Sequence, residues 1–344
     1  MMKVLLIGGT GTISAAISRR LLETGHQLYL LNRGNRDGVS CGGAVQFRCD
    51  ISDEAGAAAV LKDTMFDVVA DFIAFTPEHV ERDYRLFRGK TKQYVFISSA
   101  SAYQKPPADY LITESTPLAN PYWEYSRNKI ACEDFLLGTY REDGFPITIV
   151  RPSHTYDERI VPLGVHGKNG SWQVVKRIRD GKPVIIHGDG TSLWTMTHAS
   201  DFARGFTGLL GNIHAIGEAV HITSGETVTW NQVYAVIADA LDKPLKAVHI
   251  SSEFLDACGK TYNFWGGLIG DKANSVVFDT AKLKRLVPDF TALVRMDQGI
   301  RQTVEYILAH PECRREDQEF DAWCDRVIAA REQAINAITS QKKS

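Results

Sequence analysis

A short apolar run that ends in glycines and opens into a helical pattern constrains this chain more than any other feature. Residues 3–9 read "KVLLIGG" and residues 12–26 read "TISAAISRRLLETGH". Val4, Leu5, Leu6 and Ile7 form the unbroken apolar stretch expected of a strand buried on both faces. Ile13, Ile17, Leu21 and Leu22 recur at helical spacing, and Gly25 supplies the stop. "QLYLLNR" at 27–33 reads as a second strand, so the chain begins β-α-β with a glycine-rich first turn. Further strands are expected at 45–53, 66–75, 92–99 and 146–153. Helices "AAAVLK", "EHVERDYRLFRG" and 125–139 fall between them. Strands alternating with helices predict an α/β fold, a parallel sheet wound with helices on both faces.

Beyond about residue 153 the alternation loosens. "DERIVPLGVHGKNGSW" reads as loop, "PVIIHGDGTSLWTMTH" as a strand and a turn, and "DFARGFTGLLG" and "TWNQVYAVIADAL" as helices. "KAVHISSEFL" begins as a strand. Residues 319–338 predict a long amphipathic helix with Phe320, Trp323, Val327 and Ile328 on one face. The expected organisation is a dinucleotide-binding domain at 1–152 and a smaller, mostly α C-terminal substrate domain at 153–338. Some segments of the latter return to the first domain, and 339–344 form a frayed tail.

Composition narrows the function classes. Of 344 residues, 39 are Lys or Arg and 41 are Asp or Glu, a net charge of -2 that offers no electrostatic footprint for nucleic acid or an anionic membrane. The six cysteines, Cys41, Cys49, Cys132, Cys258, Cys313 and Cys324, are scattered and contain no C-x-x-C pair. That distribution argues against a disulfide framework or a zinc site and fits reduced thiols in a cytoplasm. The N-terminal apolar run is too short for a signal-peptide core, and no span is long enough to cross a membrane. No metal site is expected.

Five segments carry chemistry. "GGTGTIS" at 8–14 supplies a turn with positive φ, a close backbone approach to a pyrophosphate, and small Ser14 where helix and strand must pack. The second strand ends in Asn32 and Arg33, with Arg36 nearby, where an acid would favour NAD. A neutral residue beside arginines suits a 2′-phosphate, so the cofactor is NAD or NADP, with NADP favoured. Asp50 in "CDISD" either accepts a hydrogen bond from the adenine amine or caps the following helix. "YVFISSASAYQ" at 94–104 runs a buried strand into serines at the carboxyl end of the sheet, where ligands bind in open α/β folds. "WEYSRNK" at 123–129 places Tyr125 and Lys129 at i and i+4 on one helical face.

Together these segments resemble the extended short-chain dehydrogenase/reductases, the group that includes nucleotide-sugar epimerases and dehydratases, from residue 3 to about residue 310. "IVRPSHTY" and "GDGTSLWTMTHASDFA" are similar to two later signature segments of that family. The resemblance implies a Rossmann domain holding NAD or NADP through Gly8, Gly9, Thr10, Gly11, Thr12 and Ile13, with Asn32, Arg33, Asp50 and Ile51 around the adenosine. It also implies a catalytic set of Ser99, Tyr125 and Lys129. A phenol ordinarily titrates near 10, too high for an efficient base at neutral pH, and the Lys129 ammonium favours its phenolate. Ser99 holds the substrate oxygen, Tyr125 exchanges its proton, and Lys129 also reaches the nicotinamide ribose.

Departures from the family pattern shape the substrate expectation. Family 4,6-dehydratases carry Thr-Asp-Glu where this chain has Ser99, Ala100 and Ser101, so the carboxylates for water loss are missing. Family members often have Asn at the position of His154 and a nucleotide-contacting Arg at the position of Trp194. An indole cannot form an arginine's bidentate fork with a pyrophosphate but can stack on a flat group. Ser101, His154 and Trp194 are the candidate substrate residues. The expected function is an NAD(P)-dependent sugar oxidoreductase or epimerase, acting on a nucleotide sugar or a nucleotide-free sugar. A homodimer is the expected assembly. The alternative is a non-catalytic cofactor-binding regulatory or RNA-associated protein on the same scaffold.

Overall fold

The computed structural model describes residues 1–34, 42–62 and 64–340. Arg36 and Cys41 lie outside those residues, as do positions 341–344 of the expected tail. The chain divides into two compact units. Among the described residues, the first unit takes those within 1–155, 195–226 and 277–294, and the second those within 156–194, 227–276 and 295–340.

The first unit is built on a seven-stranded sheet in which every paired strand is parallel. Its strands include β1 (Lys3–Ile7), β2 (Gln27–Asn32), β3 (Val45–Arg48), β4 (Val68–Asp71) and β5 (Tyr94–Ile97). The spatial order is Ala219–Ile222, Ile147–Pro152, β5, β4, β1, β2, β3. Helices α1 (Thr12–Glu23), α2 (Glu54–Leu61), α3 (Pro77–Phe87) and α4 (Glu124–Asp143) make the crossovers. Because side chains alternate along a strand, each strand feeds two cores. Val4, Leu6, Val68, Ala70 and Val95 pack with Ile17 and Leu21 of α1 and with Phe202 and Phe206 of the helix Ala199–Leu209. Leu5, Ile7, Val69 and Phe96 face Ala57, Val80, Phe87 and Leu136 from α2, α3 and α4. Both faces being covered explains the unbroken apolar run at the chain start.

Three strands stop earlier than the sequence predicts, each just before or at a polar side chain that captures the backbone. After β3, Asp50 Oδ1 accepts from the Ser52 amide (3.0 Å) and hydroxyl (2.8 Å). After β4, Asp71 Oδ1 accepts from the amides of Ile73 (2.5 Å) and Ala74 (2.9 Å). After β5, Ser99 caps a short 3-10 turn, Ala100–Ala102, through the Ser101 amide. The helix-capping alternative for Asp50 is thereby corrected. Asp53 caps α2 by accepting from the Gly56 amide (3.0 Å).

The second unit is largely helical. It contains the helices Trp172–Arg179, Trp230–Ala240, Ser252–Cys258, Met296–Ala309 and Gln318–Ser340. Two short strand pairs, Val184–His187 with Ala247–Ile250 and Leu193–Trp194 with Val228–Thr229, complete it. Phe320, Trp323, Val327 and Ile328 are buried on the last helix, as its periodicity predicts. Buried Arg177 ties that helix down through Asp321 and Asp325, at 2.7 Å each. The helices Trp172–Arg179 and Met296–Ala309 and the strand Ala219–Ile222 were not anticipated.

Candidate active site

The carboxyl edge of the sheet in the first unit opens into a cleft of ≈ 1010 Å³ lined from Gly8 to Lys129. Its floor is the turn between β1 and α1. Gly8 has φ +80°, and a Cβ there would lie 2.5 Å from Ile73; one on Gly9 would lie 2.5 Å from Leu30. At Gly8 the positive φ strains any side chain, and at Gly9 a side chain would force Leu30 to move. Ser14 Oγ accepts from the Gly11 amide and donates to the Gly8 carbonyl, both at 2.8 Å, which locks the turn onto the first turn of α1. Thr10, Gly11, Thr12 and Ile13 line the cleft beside the open N-terminus of that helix, where backbone amides and the helix dipole favour an anion. This cradle fits a dinucleotide pyrophosphate.

At one end of the cleft stand Asn32, Arg33, Gln46, Arg48, Asp50 and Ile51. Asn32 accepts from the Gly34 amide (3.1 Å) and donates to Gln46 (3.3 Å). Arg33 approaches Asp50 only to 3.9 Å, and both side chains are largely exposed. The Ser52 hydrogen bonds, with a smaller effect of the Arg33 charge, hold the Asp50 carboxyl below its usual range.

The other end is built by β5, the turn after β4, and α4. Lys129 is 2% exposed. Its ammonium donates to the carbonyls of Ala74 and Ile97, each at 2.7 Å, and lies 4.8 Å from the ring centres of Phe75 and Phe96 and 5.6 Å from that of Tyr125. Burial pushes Lys129 down to about 8, although nearby Cys132, Asp71 and Glu133 pull the other way. The Tyr125 ring packs between Trp123, with centroids 5.0 Å apart, and Phe75, 6.4 Å away.

The adjacent serines have different surroundings. Ser98 is buried and donates to Glu133 Oε1 (2.5 Å). Glu133 also accepts from Arg151 Nε (3.0 Å) and Nη2 (2.5 Å). Ser99 is half-buried and shares a 2.8 Å hydrogen bond with Ser101. Ser101 is itself buried. The first unit thus brings together the glycine turn, Asn32, Arg33, Asp50, Tyr125 and Lys129 as lining of one cleft, with Ser99 and Ser101 at the end of its central strand. His154 lies half-buried just past the strand Ile147–Pro152. Trp194 belongs to the second unit and is 2% exposed.

Several residues that shape the site escaped the sequence reading. Asp71 fixes the turn whose Ala74 carbonyl holds Lys129. Glu133 follows Lys129 by one helical turn, so its position on the same buried face was a readable signal. Asn120 and Ser126, which bond to Ser101, had no such signal. Among the described residues no group of three or more His, Cys, Asp or Glu side chains could hold a metal, and no helix is long and apolar enough to cross a membrane.

Comparison with known proteins adds four findings. The family model described as "NAD dependent epimerase/dehydratase family" matches residues 4–223. The chain is 24% identical over 289 residues to a 2′-dehydrokanamycin reductase of Streptomyces kanamyceticus, covering 84% of this chain and 80% of that protein. It is 27% identical over 251 residues to the chloroplast stem-loop binding protein of 41 kDa b of Arabidopsis thaliana, covering 69% and 63%. Among solved structures, a dTDP-glucose 4,6-dehydratase of Bacillus anthracis in complex with NAD superposes with a TM-score of 0.72 at 19% identity, covering 91% of this chain and 98% of that one. That likeness establishes the fold.

Proposed function

We infer the function of this chain from the premise that it belongs to the NAD dependent epimerase/dehydratase family. We propose that it is an NAD(P)-dependent sugar oxidoreductase or epimerase whose Ser99, Tyr125 and Lys129 act at a sugar carbinol. The observation that carries this reading is the placement of Lys129. Its ammonium is held by two backbone carbonyls beside the Tyr125 ring, in the cleft whose floor is the glycine turn.

The nicotinamide cofactor supplies the hydride acceptor and donor. Tyr125 takes the carbinol proton during oxidation and returns it during reduction. The Lys129 charge favours the phenolate form of Tyr125. Ser99 donates a hydrogen bond to the reacting oxygen and fixes its position. Ser98 is excluded from that role because its proton is committed to Glu133. The serine turn offers no carboxylate at Ala100 or Ser101, so 4,6-dehydration is not the proposed reaction.

At the adenosine end, Asn32 in place of an acid, with Arg33 beside it, supports NADP over NAD. A sugar without a nucleotide is at least as good a candidate substrate as a nucleotide sugar. Trp194 stands where a pyrophosphate-binding arginine is expected, and the Streptomyces relative is a 2′-dehydrokanamycin reductase. Because Trp194 is buried, a stacking role for it requires its strand to open. Calorimetric titration of UDP, dTDP and GDP into cofactor-loaded protein, beside a panel of free sugars, glycosides and aminoglycosides, tests the substrate class. Micromolar binding of a nucleoside diphosphate would return the substrate to the nucleotide sugars. Cofactor reduction by a nucleotide-free sugar would support the proposal.

The Arabidopsis relative favours a second reading, an RNA-associated protein on this scaffold. Steeply salt-dependent retardation of a structured RNA would support it. The net charge of -2 and the retained Tyr-x-x-x-Lys pair weigh against it.

A further inference from the structure

Behind Ser99 a file of hydroxyls runs into the protein. Ser99 Oγ lies 2.8 Å from Ser101 Oγ, and Ser101 Oγ lies 2.8 Å from Ser126 Oγ. Asn120 Nδ2 closes the file, 3.4 Å from Ser126 Oγ and 2.8 Å from the Ser101 carbonyl oxygen. Ser126 is fully buried, Asn120 is 1% exposed and Ser101 4% exposed. Each hydroxyl has one proton to give, and if Ser99 and Ser126 both gave theirs to Ser101 the buried Ser101 proton would have no acceptor, so the file runs in one direction or the other.

The surroundings of Asn120 choose the direction. Its Nδ2 faces a backbone carbonyl, which only accepts, and its Oδ1 accepts from the Tyr122 amide at 3.1 Å, which only donates. The amide therefore cannot be flipped, and what it presents to Ser126 is a donor. If Ser99 gave its proton to Ser101 and Ser101 gave its own to Ser126, the Ser126 proton would meet no acceptor in a site sealed from water. A buried donor without a partner is the costly arrangement. The opposite direction satisfies every group. Ser126 donates to Ser101, and Ser101 donates to Ser99. The Ser99 oxygen also accepts from the Ser101 amide at 3.1 Å. With two protons directed at its oxygen, Ser99 has only its own proton left to offer, and that proton faces away from the file.

We propose that Asn120, Ser126 and Ser101 are positioning residues that form a one-way hydroxyl relay and hold Ser99 as an obligate hydrogen-bond donor to the substrate oxygen. The relay deepens the proposed Ser99-Tyr125-Lys129 reading and rests on it for its purpose, though not for its geometry. It also recasts Ser101, a candidate substrate contact, as the residue behind the contact. The atom set against Ser99 must then be an acceptor, a ketone or carbinol oxygen. A substrate group that can only donate, such as an ammonium, is refused at that point. Proton transfer through the file is not part of the proposal; only its orientation matters.

Neutron diffraction from deuterated crystals of the full chain reads the orientation directly. The expected map shows the Ser126 deuteron on the line to Ser101, the Ser101 deuteron on the line to Ser99, and the Ser99 deuteron pointing out of the file. A Ser99 deuteron directed at Ser101, or split between two positions, would overturn the relay. In Ser126→Ala the incoming donor is gone, so the Ser99 deuteron should divide between two positions, and Ser126→Thr should restore one. An unchanged Ser99 deuteron in Ser126→Ala would show that Ser126 does not set the direction. The functional reading fails separately, if Ser99→Ala leaves turnover unchanged while the deuteron map stands.

Discussion

The two ends of the cleft solve the problem of holding charge in opposite ways. At the end of the cleft that carries Lys129, the side chains of Lys129, Glu133 and Arg151 are almost wholly removed from water, and each is matched to named partners at 2.5–3.0 Å. At the opposite end, Arg33 and Asp50 stand exposed at 3.9 Å from each other. Exposed pairs contribute about 0–1 kcal/mol, whereas breaking a buried pair costs about 3–5 kcal/mol, because it strands the partner's charge. One end is therefore locked by its own fold, and the other is free to change its cofactor preference without unfolding the protein.

The largest expected effect breaks the locked end. Glu133→Ala leaves Arg151 buried without its carboxylate and Ser98 without its acceptor, and should destabilise the protein by about 3–5 kcal/mol in urea. A loss below about 1 kcal/mol would mean that water reaches Arg151 and that the two ends differ less than the geometry says.

Lys129→Met sharpens the contrast through pH. Lys129 titrates at about 8 in the folded protein against an ordinary 10.5. Between those values the unfolded chain binds more protons than the folded one, so stability rises with pH across that window. Below about pH 8 the folded protein carries the full penalty of charging this lysine, roughly 3 kcal/mol by linkage. Methionine removes it. The stability of Lys129→Met relative to wild type should therefore fall by roughly that amount from pH 7 to pH 10.5. Parallel stability curves for the two proteins would show that the buried ammonium is not destabilised.

The smallest effects belong to the exposed end. Arg33→Ala should weaken NADP by about tenfold or less, leave NAD nearly unchanged, and shift the urea midpoint little. Equal weakening of both cofactors would mean that Arg33 does not read a 2′-phosphate.

What the sequence showed of this contrast follows from range. The glycine turn and the Tyr125/Lys129 spacing are local, and they stood out because chain neighbours create them. Strand ends were read too long because Phe72, Ile73, Ala74 and Phe75 continue the apolar run of β4. The Asp71 carboxylate, taking two amides, turns the chain there. The strand Ala219–Ile222 has four residues, and its pairing partner, Ile147–Pro152, lies about seventy positions back, so no local pattern announced it. The carbonyls that hold Lys129 come from the end of β5 and from the turn after β4. Residue identity could not show them, since every residue has a carbonyl.

The central claim is that Tyr125 exchanges the substrate proton beside a lysine fixed by the fold. Tyr125→Phe removes one hydroxyl and leaves the ring between Trp123 and Phe75. The direct measurement is turnover of this variant on the sugar that reduces the wild-type cofactor, alongside its affinity for NADPH. The account predicts a loss of about a hundredfold or more in turnover, the range of general acid-base catalysis, with NADPH affinity within about twofold of wild type. Near-wild-type turnover in Tyr125→Phe would contradict it.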